Sequence, residues 1–373
     1  MYEIIIAARN RTIKWIYKNA LKRIYFRMDP ECIHDRMISV GRALGANSIT
    51  RECTKLLFGY TNKRLEQTLH GITFKNPIGL AAGFDKDAVL TDIIGSVGFG
   101  FEEVGSITGK ACTGNPKPRL WRLKQSQGLV VYYGLKNAGC KVIANRLKNK
   151  KSRIPIGTSI ARTNDETTTA RLAGIADYAM AFKELATIGD YMTVNISCPN
   201  TCGGEPFTDP AALDELFATL DTIPTKKPIF IKLSADIPEK TIDEIIAVAQ
   251  RHRVHGFICA NLTKKRGTDD LLEKNIPNHG GISGKPVRNL SDAMIAYIYK
   301  KTKGAYIIIG CGGVFSAEDA YRKITNGASL VQLITGMIFE GPQVISEINR
   351  ELVRLLNRDG FHSISEAIGS RIR

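Results

Sequence analysis

Eight short apolar segments constrain this chain more than anything else in it. They lie near residues 77–82, 100–105, 154–160, 191–196, 228–233, 255–261, 305–310 and 329–334. Most are flanked by stretches of helical periodicity, such as 240–251 after the fifth and 288–302 before the seventh. Short strands alternating with helices make parallel α/β sheets, because a crossover helix is what returns the chain to begin the next parallel strand. A count of eight favours closure into a (β/α)8 TIM barrel over an open sheet. Barrels of this kind carry their chemistry at the C-terminal ends of the strands, so functional residues are to be sought there.

Such a barrel takes ~250 residues, and the chain has 373. The remainder lies at the N-terminus. Across residues 11–28, Ile13, Ile16, Tyr17, Ala20, Leu21, Ile24 and Met28 follow helical spacing, while Arg11, Lys14, Lys18 and Lys22 gather on another face. A helix of that kind suits either an anionic membrane interface or a seat on its own domain. Trp15, Tyr17 and Tyr25 and the chain's net charge of +16 keep the first reading open beside the second. Asp29-Pro30-Glu31 starts another helix, with Asp as N-cap and Pro in the first turn; it runs through His34, Met37 and Val40 to a stop near Gly45. Residues 1–65 therefore read as a helical, membrane-associating module and residues 66–373 as the barrel.

Charge and cysteine usage narrow the function classes. An excess of 52 Lys and Arg over 36 Asp and Glu attracts anionic surfaces or substrates. Nucleic acid is not indicated, since no recognition-helix pattern, zinc-finger spacing or basic-aromatic sheet motif is present. The eight cysteines form no CxxC pair, which argues against a metal or iron–sulfur site. Their scatter through a long chain fits reduced thiols. No apolar run approaches the ~20 residues that span a bilayer. The opening Ile4-Ile5-Ile6-Ala7 is followed, not preceded, by Arg9 and Arg11, the reverse of a secretory signal.

The strand ends carry the chemistry. After the first strand comes Ala81-Ala82-Gly83-Phe84-Asp85-Lys86-Asp87, small residues with a cation beside them. The fourth delivers Asn195-Ile196-Ser197-Cys198-Pro199-Asn200-Thr201. Its amides can donate and accept along the edge of a heterocycle, and Cys198 between them is either a base or nucleophile or a small buried hydrophobe. The fifth strand ends on Lys232, whose burial among apolar neighbours calls for a partner. The sixth ends on Asn261. Gly280-Gly281-Ile282-Ser283-Gly284-Lys285-Pro286, Gly310-Cys311-Gly312-Gly313-Val314 and Ile334-Thr335-Gly336 follow in order. Glycine-rich turns after the late strands grip phosphates with backbone N–H groups, so a phosphate-bearing cofactor is expected.

Taken in sequence, AAGFDKD, NISCPNT, Lys232, GGISGKP and GASLVQLITGMIFEGP resemble the dihydroorotate dehydrogenases over residues 28–350. The DPECIHDR segment is similar to the quinone-using class 2 branch. The resemblance implies bound FMN, oxidation of (S)-dihydroorotate to orotate in pyrimidine biosynthesis, and electrons passed to a membrane quinone. It implies peripheral attachment at the cytoplasmic face of the cell or inner membrane. By motif, Ala82, Gly83, Lys86, Ser106, Ser159, Asn195, Lys232, Gly284, Gly312, Gly313, Thr335 and Gly336 would surround FMN. Lys86, Asn195, Asn200 and Asn261 would hold the substrate, and His34 and Arg122 would line a quinone tunnel. Cys198 would take the C5 proton while the C6 hydride passes to flavin N5. Cysteine at that position is the class 1 habit, serine the class 2 one. With an ordinary thiol pKa of ~8.5, cysteine would need less activation than serine.

The chain also departs from the family. Val131 stands where a substrate-binding asparagine is usual, and the lost hydrogen bond could cost ~1–3 kcal/mol; Lys136 lies close by. Ser159 replaces a flavin-contacting asparagine, Leu262 a threonine, and Ile334 the tunnel tyrosine of class 2. These changes sustain an alternative, an FMN enzyme acting on another cyclic amide or pyrimidine. A third reading, a membrane-surface binding protein on a barrel that has lost catalysis, rests on the charge and the basic helix.

Overall fold

All eight apolar segments become strands: Ile78–Leu80, Phe101–Ile107, Ile156–Ile160, Tyr191–Asn195, Ile229–Lys232, Gly256–Cys259, Ile307–Cys311 and Leu330–Leu333. Each pairs in parallel with its sequence neighbour, and the last pairs with the first to close a barrel. The computed structural model describes residues 2–150 and 152–372. The helical stretches expected at 240–251 and 288–302 are Glu239–Arg251 and Arg288–Thr302.

Because side chains alternate across a strand, every second strand residue enters the barrel. At the N-terminal end these are Phe101, Tyr191, Phe230, Ile258, Ile309 and Leu330, which close around Phe74 as an apolar plug. A hairpin, Gln67–Leu69 with Ile72–Phe74, delivers that phenylalanine. One layer higher the interior turns polar. The buried Glu103 carboxylate accepts from Thr193 Oγ1 at 3.1 Å, Tyr191 Oη at 3.3 Å and Gln332 Nε2 at 3.0 Å. With the lower end plugged, only the C-terminal end is left for a ligand.

An antiparallel sheet of Leu120–Leu123, Gly128–Val131 and Gly281–Gly284 flanks that end. By sequence, residues 280–286 read as a glycine-rich turn. They are instead a strand, with Gly284 at its end. Two glycines in four residues hide the alternation that would mark a strand, and the pairing that fixes it comes from a segment some 150 residues away (Gly281 opposite Val131).

The N-terminal rod starts earlier than residue 11. It runs Tyr2–Ile16, a π-helical turn Tyr17–Leu21, and Lys22–Tyr25. Its orientation seats the helix on its own domain, one of the two readings its pattern left open. Lys14 pairs with Glu347 at 2.9 Å, Lys18 with Glu340 at 2.6 Å, and Tyr17 Oη donates to the Ile338 carbonyl at 2.6 Å. The basic face therefore sits on the barrel, and Ile4, Ile5, Trp15 and Ile24 point outward, Trp15 67% exposed. The second helix is Pro30–Gly45, and the Asp29 carboxylate accepts the Cys32 N–H at 2.8 Å as the capping signal requires. A further helix, Ser48–Phe58, follows an Asn47 cap. Glu31 and Arg119, both buried, tie this module to the barrel through Arg119 Nη2 at 2.7 Å and Nε at 3.0 Å from Glu31 Oε1. No helix among the described residues is long and apolar enough to cross a membrane.

Candidate active site

A cavity of about 470 Å³ opens at the C-terminal end of the barrel and continues between the N-terminal helices. Of the residues singled out in the sequence, every one except Ser159 lines it. Ser159 stands one step behind: its Oγ lies 2.8 Å from Ser106 Oγ, which in turn accepts from Asn195 Nδ2 at 2.8 Å. Three regions differ in chemistry.

The first is built by backbone. Gly312 and Gly313 follow the seventh strand, Thr335 and Gly336 follow the eighth, and Gly284 ends the flanking strand. The two late turns press together so closely that a Cβ on Gly336 would lie 1.9 Å from the Val314 carbonyl oxygen, and one on Gly313 would lie 2.4 Å from the Arg288 side chain. Gly313 also has φ +72, which an L side chain adopts only with strain. Arg288 holds this turn from behind, donating to the Gly313 carbonyl at 3.1 Å and pairing with Asp319 at 3.2 Å. Here the wall is main chain with side chains excluded, the setting in which N–H groups reach an anion.

The floor is the second region. Lys232 is only 4% exposed, and no acid among the described residues lies within ion-pair distance of its amine. Gln332, paired with Cys311 across the strands, donates from its amide to Glu103 and Tyr191 Oη and leaves its buried Oε1 without a partner. A buried cation and an orphaned acceptor are costly unless a ligand completes them. Gln332, Glu103 and Cys311 escaped the sequence reading as site residues. Inward alternation from Leu330 was the signal that could have placed Gln332 on the floor.

The third region holds the remaining polar side chains. Asn261 Nδ2 donates to the Ser197 carbonyl at 2.7 Å, Ser197 Oγ to Asn195 Oδ1 at 2.9 Å, and Asn200 Nδ2 to the Val131 carbonyl at 2.8 Å. These bonds fix the orientation of the loop that carries Cys198, which is half-buried at the cavity wall. Its thiol does not keep an ordinary pKa. Burial pushes it up to about 11, against the pull of the Asn200 N–H. The ordinary thiol value expected from sequence is thus exceeded, and at neutral pH Cys198 is protonated.

At the junction with the helices, Lys86 Nζ donates to His34 Nε2 at 2.9 Å and lies 4.1 Å from the Tyr133 ring centroid. Burial lowers the lysine to about 8. Burial, and then Lys86 and Lys136, lower His34 to about 2, so the imidazole is neutral and accepts this bond. Beyond it the cavity is apolar, walled by Met37, Val40, Leu44, Phe58 and Ile338. Arg122 marks its side, donating to the Met28 carbonyl at 2.7 Å and stacking 4.9 Å from the Phe26 ring. Ile334 stands between the polar and apolar parts, 3.9 Å from where a Gly83 Cβ would be.

Known proteins are similar to this chain over most of its length. The family model for dihydroorotate dehydrogenase matches residues 64–356. The chain is 38% identical to dihydroorotate dehydrogenase (quinone) of Gloeobacter violaceus over 347 residues, covering 93% of this chain and 96% of the relative. It is 40% identical to the enzyme of that name from Trichormus variabilis over 377 residues, covering 95% and 98%. Among solved structures, a ferulenol complex of DHODH from Eimeria tenella superposes with a TM-score of 0.82 at 29% identity, covering 92% of this chain and 96% of that one. A closed eight-stranded barrel, a glycine cradle over a lysine floor and a helical annex continuous with the cavity accord with these matches, and the chain belongs to the dihydroorotate dehydrogenase family.

Proposed function

We propose that the chain is an FMN-dependent dihydroorotate dehydrogenase that oxidises dihydroorotate to orotate for pyrimidine biosynthesis and delivers the electrons to a quinone. The observation that carries the reading is the two-part cavity. A polar chamber with a main-chain cradle adjoins an apolar passage, in one continuous space. The names of the relatives, dihydroorotate dehydrogenase (quinone), match a site with those two compartments.

The residues present fit FMN. The Gly312–Gly313 and Thr335–Gly336 turns make a cradle suited to a phosphate, and Lys232, Gln332 and Asn195 offer a cation, an open acceptor and an amide to a flat heterocycle. A bound flavin supplies the hydride acceptor. Lys232 would place positive charge beside a bound flavin, in the position to stabilise its reduced, anionic form. Asn200 and Asn261, their Nδ2 atoms already engaged, present Oδ1 to the substrate ring, and Asn200 also a second amide hydrogen. Cys198 takes the C5 proton. Because its thiol sits near 11, it must first lose its own proton, which makes the ionised fraction the limit on rate. Lys86, shared between His34 and Tyr133, stands between the substrate chamber and the passage.

The outward apolar face of the first helix supports peripheral attachment to the cytoplasmic face of the cell or inner membrane, from which a quinone enters the apolar passage directly. This assigns attachment to apolar side chains and leaves the lysines as struts to the barrel.

The test is anaerobic mixing of the flavin-loaded chain with dihydroorotate, following bleaching of the flavin band. Bleaching is expected. Its rate should climb about tenfold per pH unit from neutrality toward pH 9, since the thiolate is a minor species throughout, and Cys198→Ala should lose about 10²–10⁴-fold while keeping its flavin. A flavin that stays oxidised with dihydroorotate but bleaches with another pyrimidine supports the alternative substrate raised by Val131 and Leu262. A flat pH profile removes Cys198 as base.

A further inference from the structure

The charge of the cavity is one-sided. Among the residues that line it, Lys86, Arg122, Lys136 and Lys232 are cationic, and none is an aspartate or glutamate. Arg122 is occupied at the apolar side by the Met28 carbonyl, and Lys232 lies on the floor. The other two share one wall. After burial, Lys86 and Lys136 lower the affinity of the His34 imidazole for a proton, and Lys136 lowers that of Lys86 against the opposing pull of Asp35, Asp85 and Asp87, none of which lines the cavity. Two like charges beside a neutral histidine repel unless an anion comes between them.

Lys136 is held there by its backbone. It follows Gly134 and Leu135, whose φ values are +64 and +61. The left-handed region is unusual for leucine and is kept only where the surroundings fix it. They do so on the far side, where Asn137 N–H donates to the Cys112 carbonyl and Cys112 N–H to the Asn137 carbonyl, both at 2.9 Å. Asn137 Nδ2 adds a bond to Thr108 Oγ1 at 2.8 Å. The turn that presents Lys136 is therefore rigid, and the lysine has no acid within ion-pair distance among the described residues.

The ring-reading side of the same chamber is poor. Val131 and Leu262 contribute only hydrocarbon, and the Nδ2 groups of Asn200 and Asn261 have each spent a hydrogen on main-chain carbonyls.

We propose that Lys136, together with Lys86, forms a carboxylate clamp in this chain, so that it takes small cyclic amides selected by their negative charge more than by the polar edge of their ring. This rests on the reading of the chamber as the dihydroorotate site. A ligand carboxylate between the two ammonium groups relieves their repulsion and gains charge-assisted hydrogen bonds. Ring analogues that keep the carboxylate are tolerated, and neutral ones of the same shape are not.

The experiment uses the full-length, flavin-loaded chain and reads the shift in the flavin spectrum on titration with orotate and with its neutral methyl ester. Lys136→Met is expected to weaken orotate about 10–100-fold and to leave the weaker ester unchanged, with Lys136→Arg restoring most of the orotate affinity. Retention of flavin by both variants reports that the chamber is intact. Orotate affinity in Lys136→Met equal to that of the parent overturns the clamp, as does an equal loss for acid and ester. The underlying reaction is judged separately, by bleaching of the parent with dihydroorotate. Bleaching with an unchanged KM in Lys136→Met removes the clamp and leaves the reaction. A parent that does not bleach, yet binds carboxylates through Lys136, removes the reaction and leaves the clamp.

Discussion

The barrel and the helices that precede it treat their apolar side chains in opposite ways. In the barrel, Phe101, Tyr191, Phe230 and Leu330 are buried in the plug, and the surrounding helices bury their own inward stripes. In the helices, Ile4 is 73% exposed, Ile49 70% and Leu56 76%, and many of the inner apolar residues, Ile33, Met37, Val40 and Leu44 among them, face a cavity. The contrast extends to the site. The barrel's half of the cavity is shaped by main chain, with turns so close that only glycine fits. The helices contribute mostly side chains, and they are held in place by polar struts together with apolar contacts of Ile6, Phe26 and Ile38. One half is set by backbone geometry and the other by docking, so they should fail separately.

The largest failure is expected in the cradle. Gly336→Val puts a branched side chain where a Cβ already lies 1.9 Å from the Val314 carbonyl oxygen. Backbone cannot yield as a flexible side chain does, and overpacking of this kind costs about 1–3 kcal/mol or more. The turn must open, and the protein should purify without flavin absorbance while retaining its far-ultraviolet circular dichroism. A Gly336→Val protein with full flavin content means that the cofactor is held elsewhere.

Breaking the other half should leave the cofactor alone. Glu31 and Arg119 form a buried, doubly hydrogen-bonded pair across the seam. Removing one charge of such a pair costs about 3–5 kcal/mol, because the partner stays buried without compensation. Glu31→Gln should therefore loosen the helices and slow reoxidation by a short-chain quinone, while dihydroorotate still bleaches the flavin at the parental rate. Equal loss of both half-reactions would mean that the helices shape the substrate chamber as well as the passage.

The same contrast explains what could be read from the sequence. The barrel was legible strand by strand, because eight apolar runs with period-two interiors leave little other choice, and Asp29 and Pro30 announced their helix through local capping chemistry. Orientation was not legible. The lysine face of the first helix sits against Glu340 and Glu347, more than 300 residues away in the chain, and no local pattern carries that information. The strand at 281–284 was missed for the same reason, since its partner at 128–131 creates it. In the site, residue types at strand ends located the cavity lining, but environment was out of reach. A cysteine between two asparagines looks reactive, whereas burial pushes its thiol up to about 11. Ser159 sits one step behind the wall because Ser106 stands before it.

The smallest effect belongs to the outer face of the helices, and it sharpens the contrast most. Trp15, Ile5 and Ile24 are 67%, 58% and 55% exposed and make no part of the cavity lining. Replacing all three with serine removes apolar surface that water already touches, so the folded chain should lose little stability and both half-reactions with a soluble quinone should be unchanged. Binding to vesicles should weaken instead. Each side chain that leaves the interface forfeits about 1–2 kcal/mol, which makes the triple variant at least about 100-fold weaker on neutral phosphatidylcholine vesicles in a sedimentation assay. Because Lys14 and Lys18 are committed to the barrel, adding anionic lipid should strengthen binding of the parent only modestly. Undiminished sedimentation of the triple variant would show that this face is not where the chain meets a bilayer. Strong dependence on anionic lipid would return that role to the chain's remaining surface lysines and arginines.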